Sequence, residues 1–127
     1  MFTRFYNGVG SINESLEVKE VKDMITVVVT FSIPSEVSAS VLEEKFLETA
    51  PMYLETPGLV RKNYLYDRAT LEAGGCYTFQ DKKSAELWFN EERIAWITER
   101  YSAPDIRYFE TPVIVNQDTG LIDNPGY

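Results

Sequence analysis

Arg61, Lys62 and Asn63 stand in a row, and the chain continues through Tyr64, Leu65 and Tyr66. Neighbouring side chains of an extended strand point to opposite faces, so at least one of the two cations lies on each face of a sheet. Lys62 shares its face with Tyr64 and Tyr66, and a return strand over 74–80 would set Tyr77 and Phe79 beside them. A cation among phenolic rings can stabilise an anion formed on a bound molecule. The same pattern also fits a lysine whose stem lies over a tyrosine-rich core or interface, with its ammonium in water. Arg61 and Asn63 share the other face with Cys76 and Thr78 if the strand register allows. Lys62, Arg61 and Asn63 are therefore the candidate catalytic residues. The candidate substrate-binding residues are Tyr53, Tyr64, Tyr77, Phe79, Trp88 and Trp96. Trp88 and Trp96 stand eight residues apart, as do Phe89 and Ile97, a spacing that suits one helical stripe in a core or along a pocket. Tyr53, between Pro51 and Pro57, suits either a pocket mouth or the packing of a helix end.

Other chemistries are removed by composition. The 127 residues contain no histidine, which excludes Ser-His and Cys-His nucleophiles, imidazole metal ligands and the usual proton shuttle near neutrality. Cys76 is the single cysteine, so there is no intramolecular disulfide and no thiolate cage. HExxH, GxSxG and clustered carboxylates at metal spacing are absent from the sequence, and no metal is expected. Acidic pairs such as Glu43-Glu44 and Glu91-Glu92 fall on solvated helix faces. Lys plus Arg number 12 against 20 Asp plus Glu, a net charge of −8, which disfavours nucleic acid and anionic membranes as partners. The first twenty residues lack the apolar core of a signal peptide, and no stretch has the length of a membrane span, so a cytoplasmic location is expected.

The elements that must position these residues follow from period and punctuation. Residues 1–22 show no sustained period and are expected to be an N-terminal extension. The β-branched run from Ile25 to Phe31 predicts a buried strand, with Thr26 and Thr30 on one face. Apolar residues at Val41, Leu42, Phe46, Leu47 and Ala50 predict a one-sided helix that begins at Ser35, Ser38 or Ser40 and is closed by Pro51 and Pro57-Gly58. Leu59 to Arg68 and Gly74 to Gln80 predict a hairpin, in which Leu59 and Arg61 share a face. Gly74-Gly75 opens its return strand, where a bulge or close backbone contact is expected; beside a pocket, Gly75 would leave room for a flat ligand. Asp81 is a suitable cap for a second helix carrying Ala85, Trp88, Phe89, Trp96, Ile97 and Tyr101, with a bend between Asn90 and Arg93. Ile106 to Glu110 is a fourth strand, 112–115 a fifth, and 118–127 turn and tail.

The order strand, helix, strand, strand, helix, strand predicts an α+β chain of the split βαβ type, a four-stranded antiparallel sheet with both helices on one face. The strands carry apolar residues on both faces, so the uncovered one calls for a second copy of the chain. The leftover 111–116 segment could reach that partner's edge. The domain is expected over 23–116, with 117–127 as a C-terminal tail.

Three sequence pieces carry a resemblance: 57–64 (Pro-Gly-Leu-Val-Arg-Lys-Asn-Tyr), 72–79 (Glu-Ala-Gly-Gly-Cys-Tyr-Thr-Phe) and 81–85 (Asp-Lys-Lys-Ser-Ala), followed by the junction at 109–113. In their joint spacing the chain resembles the YdhR-type monooxygenases of the dimeric α/β-barrel superfamily over about residues 24 to 116. The resemblance implies a ferredoxin-like fold, a homodimer with a sheet-lined barrel and a pocket between sheet and helices. The activity it implies is oxygenation of a small aromatic or phenolic compound without a cofactor. In that chemistry Lys62 or Arg61 would stabilise the substrate anion that forms before an electron passes to oxygen. A Trp and an Asn act in cofactor-independent relatives, but their positions do not map onto Trp88, Trp96 or Asn63, so no role is carried over to these. A module that sequesters a small hydrophobic molecule, and a cofactor-free isomerase or cyclase, are the alternatives open to the same fold.

Overall fold

The computed structural model describes residues 24–124. The expected extension over 1–22 lies outside them. Among the described residues six strands and three helices follow one another: β1 (Ile25–Ser32), α1 (Ala39–Tyr53), β2 (Leu59–Asp67), β3 (Glu72–Phe79), α2 (Lys82–Trp88), α3 (Glu91–Arg100), β4 (Asp105–Glu110), β5 (Ile114–Asn116) and β6 (Leu121–Asp123). The main sheet is antiparallel in the order β2-β3-β1-β4, the ferredoxin-like arrangement, and β5 and β6 form a separate hairpin.

Alternation divides the sheet. Ile25, Val27, Val29 and Phe31 of β1 are buried, as are Ala73, Tyr77 and Phe79 of β3, and register places both sets on one face. Leu42 of α1, Ala85 of α2 and Ile97 of α3 cover that face. Burying each large apolar side chain contributes about 1.5–3 kcal/mol, so this layer dominates the stability. On the opposite face, Arg61 stands opposite Thr78 and Asn63 opposite Cys76. Leu65 and Phe109, 36% and 41% exposed, also lie there, and no described helix covers them.

Four expectations are modified, and the open choice of the first helix's start is settled. The register slips between Leu59 and Arg61, so Leu59 pairs with Phe79 and joins the core, away from the face of Arg61. The first helix starts at Ser38, whose hydroxyl accepts from the Val41 amide at 3.2 Å. Pro51 does not end that helix; it sits in the last turn, and Leu54 N–H closes the end on the Pro51 carbonyl at 3.1 Å. The second helix is broken outright at Phe89–Asn90. Asn90 donates to Leu87 O at 3.2 Å and accepts from Arg93 N–H at 2.8 Å, ending one helix and capping the next. Lastly, residues 121–123, expected as tail, pair with 114–116 as β6.

Gly74 is a close approach: a Cβ there would collide with the carbonyl oxygen of Val29 on the neighbouring strand.

Candidate functional site

Lys62 enters from β2 on the helix-covered face, and its ammonium group ends inside a cage of rings. Nζ lies 3.5 Å from the Tyr53 ring centre, 3.7 Å from Tyr64 and 4.7 Å from Tyr77. Each ring comes from a different element. Tyr53 occupies the last turn of α1, Tyr64 stands two residues on from Lys62, and Tyr77 faces Lys62 across the β2-β3 ladder. Tyr53 meets Tyr64 and Tyr77 edge-on, at 6.1 and 5.8 Å. Tyr64 packs on Phe46 at 4.5 Å and bonds to the Thr49 hydroxyl at 2.7 Å. Thr49 spends its proton on the Phe46 carbonyl, so the tyrosine is the donor and its own proton is committed.

The electrostatics of this cage are unusual for a lysine. Among the described residues no carboxylate lies within ion-pair distance of Lys62. Burial, with the positive Arg93 as the second cause, lowers its ammonium from 10.5 to about 6. Burial likewise holds the Tyr53, Tyr64 and Tyr77 phenols above their ordinary range. At neutral pH the cage therefore consists of a largely uncharged amine and three protonated phenols.

Two spaces meet at Lys62. An inner cavity of about 30 Å³ lies under the helices and is lined by Tyr53, Lys62, Tyr64, Tyr77, Trp96 and Tyr101, among others. That is room for about two waters and too small for an aromatic ring. Outside it, a cleft of about 520 Å³ runs between the C-terminal half of α1 and the start of β2, from Leu47, Pro51, Tyr53 and Leu54 to Leu59–Lys62 and Tyr64. This is within the usual size of a small-molecule site. Its walls include the exposed apolar side chains Leu47, Leu54 and Val60, and its ionisable lining includes the basic Arg61 and Lys62 and no acid. The ligand-sized space thus opens at the edge of the sheet, whereas the space between sheet and helices is small. A further cavity of about 450 Å³ beside Asp81–Lys83 and Tyr108–Glu110 has no such caged amine, and Lys82 there pairs with Glu86 at 3.8 Å.

The structure therefore brings together Lys62, Tyr53, Tyr64 and Tyr77. Trp96 borders the inner cavity. Arg61 stands at the cleft's rim, exposed and 4.0 Å from Asp118 of the β5-β6 hairpin. Asn63 points away, to the opposite sheet face. Phe79 is fully buried in the core, and Trp88 lies behind Tyr53 at 5.5 Å, lining neither space. Gly75 leaves room for the protein's own side chains and not for a flat ligand: a Cβ there would lie 2.9 Å from the Tyr77 ring and 3.0 Å from Lys62 Cε.

One residue escaped the sequence reading. The Arg93 guanidinium lies 3.8 Å from the Trp88 ring and 5.7 Å from Trp96, and its Nε is buried without a hydrogen-bond partner. The signal was its position three residues before Trp96 and three after the cap Asn90, which sets it on the inward face of α3. Among the described residues no group of His, Cys, Asp and Glu could hold a metal ion, and no helix is long and apolar enough to cross a membrane.

Comparison with known proteins adds the following. No curated protein sequence matches the chain. Among solved structures, a variant of SnoaB, a cofactor-independent oxygenase from Streptomyces nogalater, is 18% identical with a TM-score of 0.56, covering 75% of this chain and 99% of that one. The monooxygenase from the gene ActVA-Orf6 of Streptomyces coelicolor, in complex with nanaomycin D, is 16% identical with a TM-score of 0.55, covering 75% and 93%. The heme-degrader MhuD of Mycobacterium tuberculosis, with two hemes in its active site, is 15% identical with a TM-score of 0.58, covering 72% and 99%. At these identities the likeness shows the fold alone, the ferredoxin-like α+β arrangement. Residues 26–123 match the family described as "Putative mono-oxygenase ydhR", and the chain belongs to that family.

Proposed function

We propose that this chain is a cofactor-independent monooxygenase acting on a small phenolic or enolic aromatic compound bound in the Leu47–Tyr64 cleft. The observation that carries the reading is the uncharged amine of Lys62, caged by three protonated tyrosines at the inner wall of an apolar cleft without acids. In a chain without histidine it is a base poised near neutrality. Lys62 would accept the phenolic or enolic proton and then, as an ammonium, pair with the anion it has made. The anion gives one electron to dioxygen, and the radical pair joins at carbon as a peroxide. For an anthrone, loss of water converts CH2 to C=O, so one oxygen atom enters the product, the other leaves in water, and all electrons come from the substrate. Arg61 at the rim favours anionic substituents. A haem reading like that of MhuD finds less support, because this chain offers no imidazole and its cage phenols hold their protons.

The uncovered sheet face, with Leu65 and Phe109 exposed, supports a homodimer formed sheet against sheet. A monomer by light scattering at micromolar concentration would count against it. A cytoplasmic location accords with the reducing chemistry open to the single Cys76.

Oxygen consumption with a panel of anthrones and hydroquinones tests the activity. Uptake of one dioxygen per product, reduced ~100-fold or more in Lys62→Met, is the expected result. Binding without turnover would favour a module that sequesters its ligand. Product without oxygen uptake would identify an isomerase or cyclase.

A further inference from the structure

An uncharged amine is a nucleophile as well as a base, and lysines become nucleophilic when desolvated or set near another cation. Lys62 meets both conditions. Its stem lies against Gly75, its Nζ sits between the Tyr53 and Tyr64 rings, and Arg93 adds positive charge from α3. The titratable groups that face it are Tyr53 from α1, Tyr64 from β2, Tyr77 from β3 and Arg93, none of them an anion at neutral pH. Access also sets Lys62 apart. Among the described residues, the side-chain nitrogens and oxygens sealed from solvent without a hydrogen bond are Trp88 Nε1, Arg93 Nε and Asp123 Oδ1. Lys62 Nζ, which has no hydrogen bond either, is not sealed, and its side chain lines the 520 Å³ cleft.

We propose that Lys62 captures carbonyl compounds covalently, as the imine of an aldehyde or ketone whose apolar or aromatic frame rests against Leu47, Leu54 and Val60. The nitrogen lone pair forms a bond to the carbonyl carbon, the C=O pair moves to oxygen, and a proton lost by nitrogen is taken up there to give a carbinolamine. Its hydroxyl then leaves with the remaining amine proton as water, and C=N forms. The step needs no oxidant or reductant. The inner cavity beside Lys62 is of a size to receive the released water. This inference rests on the Leu47–Tyr64 cleft being the ligand site, as in the oxygenase reading.

The test is reductive trapping of the full chain with benzaldehyde and sodium cyanoborohydride at pH 7, followed by intact mass and peptide mapping. One benzyl group per chain should appear at Lys62 at least about tenfold faster than at the exposed Lys82 and Lys83, because burial lowers the Lys62 ammonium to about 6 and its side chain lines the cleft. Lys62→Arg should abolish the fast adduct; if that variant does not fold, mapping of the unaltered chain still decides. Labelling of Lys62 no faster than Lys82 and Lys83 overturns the proposal. Oxygen uptake on the same preparation separates the two readings: fast trapping without uptake upholds the imine and removes the oxygenase, and uptake without fast trapping does the reverse.

Discussion

Lys62 Nζ sits 3.5 Å from the centre of the Tyr53 ring, and the two residues come from opposite walls of one cleft, the lysine from β2 and the tyrosine from the last turn of α1. The contact depends on Pro51 not stopping the helix. The two residues of α1 beyond Pro51 carry Tyr53 over the lysine, so the packing of a helix end and the covering of a pocket are one arrangement.

The cost of that arrangement depends on pH. An unfolded lysine holds its proton up to about 10.5, whereas Lys62 in the folded chain releases it near about 6. Between those values the unfolded state binds more protons, so stability from this residue rises with pH; below about 6 the folded state carries the full cost of a caged ammonium. Lys62→Met keeps the apolar stem and removes that cost. Urea denaturation should find the variant more stable than the parent by on the order of a few kcal/mol near pH 6, with the gain shrinking toward zero by about pH 10. A difference between the two that stays flat across this range would show that the amine is not depressed.

Arg93 is the second cause of the depression, after burial. Arg93→Met removes its charge and should raise the Lys62 pKa, though not to lysine's ordinary value, since burial remains. The NMR titration of Lys62 Cε reads this directly, and the acid limb of any oxygen-uptake profile should move up in pH with it. The substitution also removes the unpartnered Nε buried beside Trp88. An unchanged Lys62 titration would assign the whole depression to burial.

Much of this was legible in the sequence because the signals were local. The β-branched run from Ile25, the Pro57-Gly58 turn and the Asp81 cap each settle their element by a short-range rule, and alternation along β2 is enough to place Lys62 with Tyr64. What was not legible depends on geometry between elements. The slip at Val60 moves Leu59 into the core, and no residue type announces it. The break at Asn90 was visible only as a bend, because its strength comes from one side chain serving two helix ends. The closing of the inner space to about 30 Å³ depends on how far Tyr53, Tyr77 and Trp96 fill it, and the lysine's loss of charge depends on carboxylates being absent nearby.

Asn90 supports the site from a distance. Its side chain caps α3 by accepting the Arg93 amide proton at 2.8 Å, and Arg93 is the residue that reaches Trp88 and adds its charge near Lys62. Asn90→Ala should cost about 0.5–2 kcal/mol, read as a lower urea midpoint with unchanged slope. Asn90→Asp, which keeps an acceptor, should restore most of it. Equal losses in both variants would mean that the cap does not hold the helix.

Gly75 gives the sharpest test of the cage itself. It lies opposite Tyr64 in the ladder, and its missing side chain is the space into which Lys62 Cε and the Tyr77 ring pack. In Gly75→Ala the new methyl would stand 3.0 Å from the lysine stem and 2.9 Å from the ring. The ring is held by Phe79 and Phe89 at 6.2 and 5.0 Å, whereas the lysine is flexible and borders the cleft, so the lysine is the side chain that moves. Displaced toward solvent, it regains hydration, and its pKa should rise toward the ordinary value while the fold loses about 1–3 kcal/mol to overpacking. Titration of Lys62 by NMR together with urea denaturation checks both halves. A destabilised variant whose Lys62 still titrates near about 6 would show that the ring yields instead, and that the cage holds its lysine more firmly than the surrounding core holds Tyr77.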